Sequence, residues 1–162
     1  EEMVRDQDDE FNYRLRSLGG RIWFNPKIYA TYSPRDSFPK LFKQYFQYGF
    51  WKVRVLQKHP KQMSLRQFAP PVFVLSLVCA ILLALTASWG WYMLVSLAGA
   101  YFLASLAASI VAGKGKKPAV AMLLPLAFAA IHLGYGLGFL VGLVRFAGRW
   151  KDKTGRVPEW PA

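Results

Sequence analysis

Two uncharged runs constrain this chain more than any other feature. From Phe68 to Gly113, and again from Pro118 to Val144, no Asp, Glu, Lys or Arg occurs. A helix needs about 20 apolar residues to cross a hydrocarbon core about 30 Å thick, and in lipid its backbone groups are satisfied within the helix itself. The first run has room for two such helices and the second for one. We expect spans over 68–87, 91–112 and 119–144, with Trp89, Trp91 and Tyr92 as interfacial anchors at the hairpin between the first two. A soluble core helix has no need of runs so free of charge.

The formal net charge of +12 must be weighed against where the charges fall. Nucleic-acid binding places a basic patch on a soluble fold. Here the cations flank apolar segments, where Lys and Arg are held on the cytoplasmic face and drawn to anionic lipid by about 1 kcal/mol each. The partner is therefore membrane lipid, with no nucleic acid. The single cysteine, Cys79, lies inside an apolar run, so it has no partner for an internal disulfide or a metal site. A channel or transporter would carry ionisable residues within its spans, and only His132 qualifies.

Topology follows from the same charges. With the N-terminal part inside, the first two spans return to Lys114, Lys116 and Lys117 on the inside. A third crossing then leaves the basic tail over 145–162, with Arg145, Arg149, Lys151, Lys153 and Arg156, outside and against the positive-inside bias. The alternative is a segment that bends back around Pro125 and the glycines from Gly134 to Gly142. We expect three crossings.

Ahead of the spans, Phe11, Leu15 and Leu18 recur at helical spacing and Gly19-Gly20 ends the pattern. Arg21–Phe24 and Ile28–Tyr32 read as two short strands about an Asn25-Pro26 turn. Ser37, Phe38 and Pro39 open a helix in which Phe38, Leu41, Phe42, Tyr45, Tyr48 and Trp51 mingle with Lys40, Lys43, Lys52, Arg54 and Lys58. A basic, aromatic, amphipathic helix of this kind suits the membrane interface, over 37–67 with its linker. His59 reads as a solvated loop residue. His132 joins neighbouring helices by a hydrogen bond, and the Gly134-x-x-x-Gly138 and Gly138-x-x-x-Gly142 spacings permit close helix packing or self-association.

The acidic cluster Asp6-Gln7-Asp8-Asp9-Glu10 opens the first helix. Carboxylates there suit the helix macrodipole, and one of them could equally serve as a general base. Spacing does not choose between these. The string Gln7-Asp8-Asp9-Glu10-Phe11-Asn12-Tyr13-Arg14-Leu15-Arg16, followed by Gly19-Gly20-Arg21-Ile22-Trp23-Phe24-Asn25-Pro26, resembles the end of the catalytic domain in family 2 inverting glycosyltransferases. Gln44-Tyr45-Phe46-Gln47-Tyr48-Gly49-Phe50-Trp51 and His132-Leu133-Gly134-Tyr135-Gly136 narrow the resemblance to the membrane-bound branch of succinoglycan-type glucosyltransferases.

That resemblance implies a mainly α membrane protein: the end of an α/β catalytic domain of GT-A type over 1–36, an interfacial helix, then about three transmembrane helices over 68–144. It implies Asp8 as the base, with Gln7 where the family often has glutamate, and an acceptor side near Gln44, Tyr48 and Trp51, although the Gln-to-Trp spacing departs from the family's element. The implied reaction moves a hexose from a nucleotide-sugar donor to a polyprenyl-linked saccharide acceptor at the inner (plasma) membrane, with the catalytic part cytoplasmic. The family's Asp-x-Asp metal site is not in these residues. We expect no metal or cofactor here, Mg or Mn in the full-length enzyme, and no transfer by this chain alone, which reads as a C-terminal fragment. The competing reading is a non-enzymatic anchor or assembly subunit of a polysaccharide-synthesis complex.

Overall fold

The computed structural model describes residues 6–151. Glu1–Arg5 of the first helical pattern, and Lys153 and Arg156 of the tail, lie outside the described residues. The chain forms α1 (Gln7–Ser17), α2 (Phe38–Lys58), α3 (Ala69–Thr86), α4 (Trp89–Ala112) and α5 (Pro118–Arg145), with short 3-10 turns at Pro60–Gln62, Leu65–Phe68 and Ala147–Arg149. Three stretches, Leu65–Thr86, Trp89–Ala112 and Pro118–Arg145, are long and apolar enough to cross a membrane.

Helix boundaries follow local chemistry. α1 gives way to Gly19, which takes a φ of 82° that other residues resist. Ser37 precedes α2, with Pro39 in its first turn, where a missing N–H costs nothing. Gly115, at φ 74°, turns the chain between α4 and α5, and Pro118 starts α5.

The two expected strands do not form. Among the described residues there is no strand, and 21–24 and 28–32 are irregular on either side of a turn at Asn25, whose Oδ1 accepts from Lys27 N at 3.0 Å. A strand is stable only when its N–H and C=O groups meet a neighbouring backbone, and the described neighbours are helices. Trp23, Phe24 and Tyr29 are accordingly 86%, 89% and 91% exposed.

α2 and α5 form the tightest seam. A Cβ on Gly134 would lie 2.7 Å from the Phe42 carbonyl oxygen, one on Gly142 2.6 Å from that of Phe50, and one on Gly138 would run into that of Phe46. These pairs advance together, so the two helices run parallel with their backbones in contact. From the opposite side, Gly49 of α2 faces the Tyr135 carbonyl. The glycine stripe that could have served self-association is thus filled by α2 of the same chain. Gly136 faces the other way, its added Cβ meeting the Pro70 carbonyl oxygen at 2.6 Å, so α3 uses the intervening glycine.

A buried cluster of Val53, Phe139 and Phe146, with Phe50, Trp51, Met63 and Phe68 around it, closes one end of this seam. There Gln57 Nε2 donates to the Phe146 carbonyl at 2.8 Å, Arg54 Nη1 donates to the Arg149 carbonyl at 3.3 Å, and Phe68 meets Phe139 edge-on. The end of α5, the end of α2 and the start of α3 therefore lie together. This brings Arg149 and Lys151 to the end of the molecule that carries Lys58, Lys61 and Arg66. The third apolar segment is itself one continuous helix through Pro125 and the glycines, without a reversal, and it is long enough for the third crossing expected from the sequence.

Candidate functional site

α1 carries its acids on two faces. Asp6, Asp9, Glu10 and Tyr13 follow helical spacing and face α2 and the turn after it. Lys52 Nζ donates to Asp9 Oδ2, with only 8% of the lysine side chain exposed. Glu10 Oε1 lies 2.9 Å from His59 Nε2, the Tyr13 ring sits 5.1 Å from the His59 ring, and Gln62 Nε2 donates to the Asp9 carbonyl at 3.2 Å. His59 is therefore no solvated loop residue: it is a part-buried partner of α1. No local signal could have revealed a contact made across 49 positions of sequence.

Asp6 sits before the first turn of α1 at φ 60°. Burial drives its carboxyl up from 3.8 to about 6; Lys52 pulls the other way, while Asp9 and Asp8 add to the rise. Asp8 lies outside this docked face, exposed. A groove of about 630 Å³ beside α1 is lined by Asp9, Asn12, Tyr13, Arg16, Ser17, Ile22 and Gln62. Asp8 is not among its walls.

The acceptor-side candidates divide. Gln44 and Tyr48 come together: Gln44 Nε2 donates to Tyr48 Oη at 2.8 Å, and Arg35 Nε donates to Gln44 Oε1 at 3.3 Å. Trp51 instead packs against Phe50 and Phe146, with ring centroids 5.4 and 5.7 Å away, inside the cluster that closes the α2–α5 seam. Sequence reading missed Arg35, whose part in this chain depends on the linker before α2 folding back along that helix.

The cations of α2 divide in the same way. Lys52 and Arg54 are 6% and 0% exposed and committed to internal partners, so they are not offered to lipid. Lys40 and Lys43 remain on the surface. Within the apolar helices, Tyr101 Oη and His132 Nδ1 are 3.0 Å apart, and Phe73 stacks on Tyr101 at 4.4 Å. His132 thus joins α5 to α4 as its surroundings demand. Among the described residues no three of His, Cys, Asp or Glu are grouped to hold a metal ion.

Over 149 residues, 92% of its length, the chain is 32% identical to the succinoglycan biosynthesis protein ExoA of Rhizobium meliloti (strain 1021). The chain resembles that protein along nearly its whole length. The match spans 44% of ExoA, so the chain covers less than half of this relative's length. No family model matches the chain, and no solved structure gives a significant match. The likeness to ExoA takes in almost the whole chain, the apolar helices included.

Proposed function

We propose that the chain is the membrane-associated part of an inverting glycosyltransferase, which moves a hexose from a nucleotide sugar to a lipid-linked saccharide in exopolysaccharide synthesis. The observation that carries this reading is the union of an acidic motif helix with an apolar bundle in a chain related to a succinoglycan biosynthesis protein. α1 is tied to α2 by Asp9–Lys52 and Glu10–His59, and α2 is seated on the glycines of α5. An acceptor held at the membrane surface and a base on α1 would then belong to one rigid body.

In this reading Asp8 is the general base. The acceptor hydroxyl donates its hydrogen bond to the Asp8 carboxylate and loses its proton there as the oxygen attacks the anomeric carbon. The bond from that carbon to the nucleotide diphosphate breaks with its electron pair on the leaving oxygen, and the configuration inverts. General-base help of this kind is worth about 10²–10⁴-fold in rate. That Asp8 is exposed while Asp9 is held by Lys52 and Glu10 by Arg14 and His59 supports the choice, because only an uncommitted carboxylate is open to a substrate.

Gln44 and Tyr48, hydrogen-bonded to each other, are the proposed acceptor contacts, and Trp51 contributes by holding α2 in place. The exposed aromatics Trp23, Phe24 and Tyr29 supply an apolar edge for the remainder of a catalytic domain. We place the catalytic part on the cytoplasmic side of the plasma membrane, where nucleotide sugars are found.

The test is Asp8→Asn in the full-length protein. Transfer falls by about 10²-fold or more, and nucleotide-sugar binding stays within about twofold. An Asp8→Asn variant that transfers sugar normally removes the assignment.

A further inference from the structure

The surface cations of α2 gather with Arg35 at one place. Arg35, Lys40, Lys43, Gln44 and Gln47 line a concavity of about 270 Å³, and no carboxylate is among its walls. Positions 40, 44 and 47 lie about a third of a turn around α2 from the seam made by Phe42, Phe46 and Phe50, with Lys43 between the two sets, so the basic hollow flanks the α5 contact. We propose that Arg35, Lys40 and Lys43 bind the diphosphate of a membrane-anchored lipid, an inference that rests on the lipid-linked acceptor proposed above.

Three features carry it. First, the hollow is built. Gln44 accepts from Arg35 Nε and donates to Tyr48 Oη, so its amide works as a strut that holds the guanidinium over α2. Only Nε of Arg35 is used in that bond, which leaves the fork of terminal N–H groups to grip phosphate oxygens in pairs. Second, the charge is unmatched. Lys52 answers Asp9 and Arg14 answers Glu10, but around the hollow the nearby carboxylate is Asp36, which bonds Lys40 at 2.9 Å. Lys40 also holds the Asp36 carboxyl below its usual range, so that ion pair persists at neutral pH. Three cations against one carboxylate leave an excess close to the charge of a diphosphate diester, and above that of a single phosphodiester. Third, the neighbouring face of α2 rests on the apolar helix α5, so the hollow borders an apolar surface. A ligand with an anionic head and an apolar chain uses both surfaces, whereas free pyrophosphate uses one.

Phosphate at this surface has two sources, a polyprenyl diphosphate and a phospholipid headgroup, and two arms of one experiment separate them. The full-length protein is placed in nanodiscs of neutral phosphatidylcholine, and its affinity for added polyprenyl diphosphate is measured for the native protein, for Arg35→Gln/Lys43→Gln, and for Lys114→Gln/Lys116→Gln as a charge-matched control. Arg35 and Lys43 are exposed, so their replacement leaves the fold intact, which an unchanged melting temperature verifies. With each charge-assisted hydrogen bond worth about 1.5–3 kcal/mol, the first pair of substitutions weakens binding by about tenfold or more and the control pair leaves it within about twofold.

Equal affinity of the native protein and the Arg35/Lys43 variant overturns the site, as does an equal loss in the control. In the second arm the discs carry anionic phosphatidylglycerol and no diphosphate. If the Arg35/Lys43 substitutions weaken association in that arm alone, the hollow is a headgroup site and the proposal fails. Diphosphate binding without sugar transfer sinks the proposed activity and leaves the site standing. Transfer by the Arg35/Lys43 variant with an unchanged acceptor KM sinks the site and leaves the activity standing.

Discussion

Giving Gly138 a side chain tests the α2–α5 seam most directly. An alanine Cβ there would meet the Phe46 carbonyl carbon at 2.8 Å and its Cα at 3.0 Å, besides striking the carbonyl oxygen. Ordinary van der Waals contact begins at 3.4 Å, so the helices have to part by at least the difference, about 0.6 Å. A helix carbonyl cannot swing aside as a side chain can. The displacement therefore spreads to the contacts of Gly134 and Gly142 one turn away on either side. A radial gap of about 0.5–1 Å forfeits about a quarter to a half of each contact, and overpacking of a close-fitted site costs about 1–3 kcal/mol.

Against that cost stands the gain of about 1 kcal/mol for Ala over Gly in a helix. Gly99 of α4 isolates the gain, because an added Cβ there finds nothing within 4 Å. The expected result is that Gly99→Ala is neutral or stabilising by up to about 1 kcal/mol, whereas Gly138→Ala is net destabilising by up to about 2 kcal/mol. Reversible unfolding in detergent micelles, followed by helical ellipticity, reads both. If the two variants unfold together, α2 does not lie on α5 at backbone contact and the reasoning is refuted.

Gln57→Leu strands the Phe146 carbonyl at the buried end of α5 and should cost about 1–3 kcal/mol in the same unfolding assay; no loss would mean that this end is held by other contacts. With Cys79 replaced by alanine, single cysteines at Lys61 and Lys151 should react with an impermeant maleimide from one and the same side of sealed vesicles, and labelling from opposite sides would contradict the meeting of the α2 and α5 ends. Tyr101→Phe removes the partner of His132 and should cost about 0.5–1.5 kcal/mol, with an unchanged midpoint counting against that bond.

Asp6 gives a pH test. Its folded carboxyl, raised by burial from 3.8 to about 6, keeps a proton that the unfolded chain releases in between. Its stabilising effect is whole below pH 3.8 and is lost as pH rises through about 6. Asp6→Asn should therefore flatten the melting profile between pH 4 and 7 and raise stability at neutral pH by about 1–2 kcal/mol after solvent screening. Parallel profiles for the two proteins would refute the burial of that carboxyl.

Part of the site was legible because its signal is local. The acidic opening of α1, its glycine stop and the Ser37-Phe38-Pro39 entry to α2 each depend on neighbours a few positions away, and each appears where the residues put it. The expected strands at 21–24 and 28–32 failed for the opposite reason, since strand formation depends on a partner that composition does not name. The cations of α2 show the same divide. Lys40, Lys43, Lys52 and Arg54 look alike in sequence, yet two are at the surface and two are buried with partners on α1 and at the end of α5.

The sequence by itself determined that three helices are apolar enough for lipid, because removing every charge from a long run leaves a helix with no comparable claim on water. It also determined that the glycines of α5 would admit a close neighbour, since a missing Cβ is an absence any partner can use. Only the tertiary structure decided that the neighbour is α2, running parallel and sealed by Arg54 and Gln57 over the end of α5. Which backbone fills a groove depends on how the whole chain returns on itself, and that is settled by the sum of many weak contacts between residues far apart in sequence.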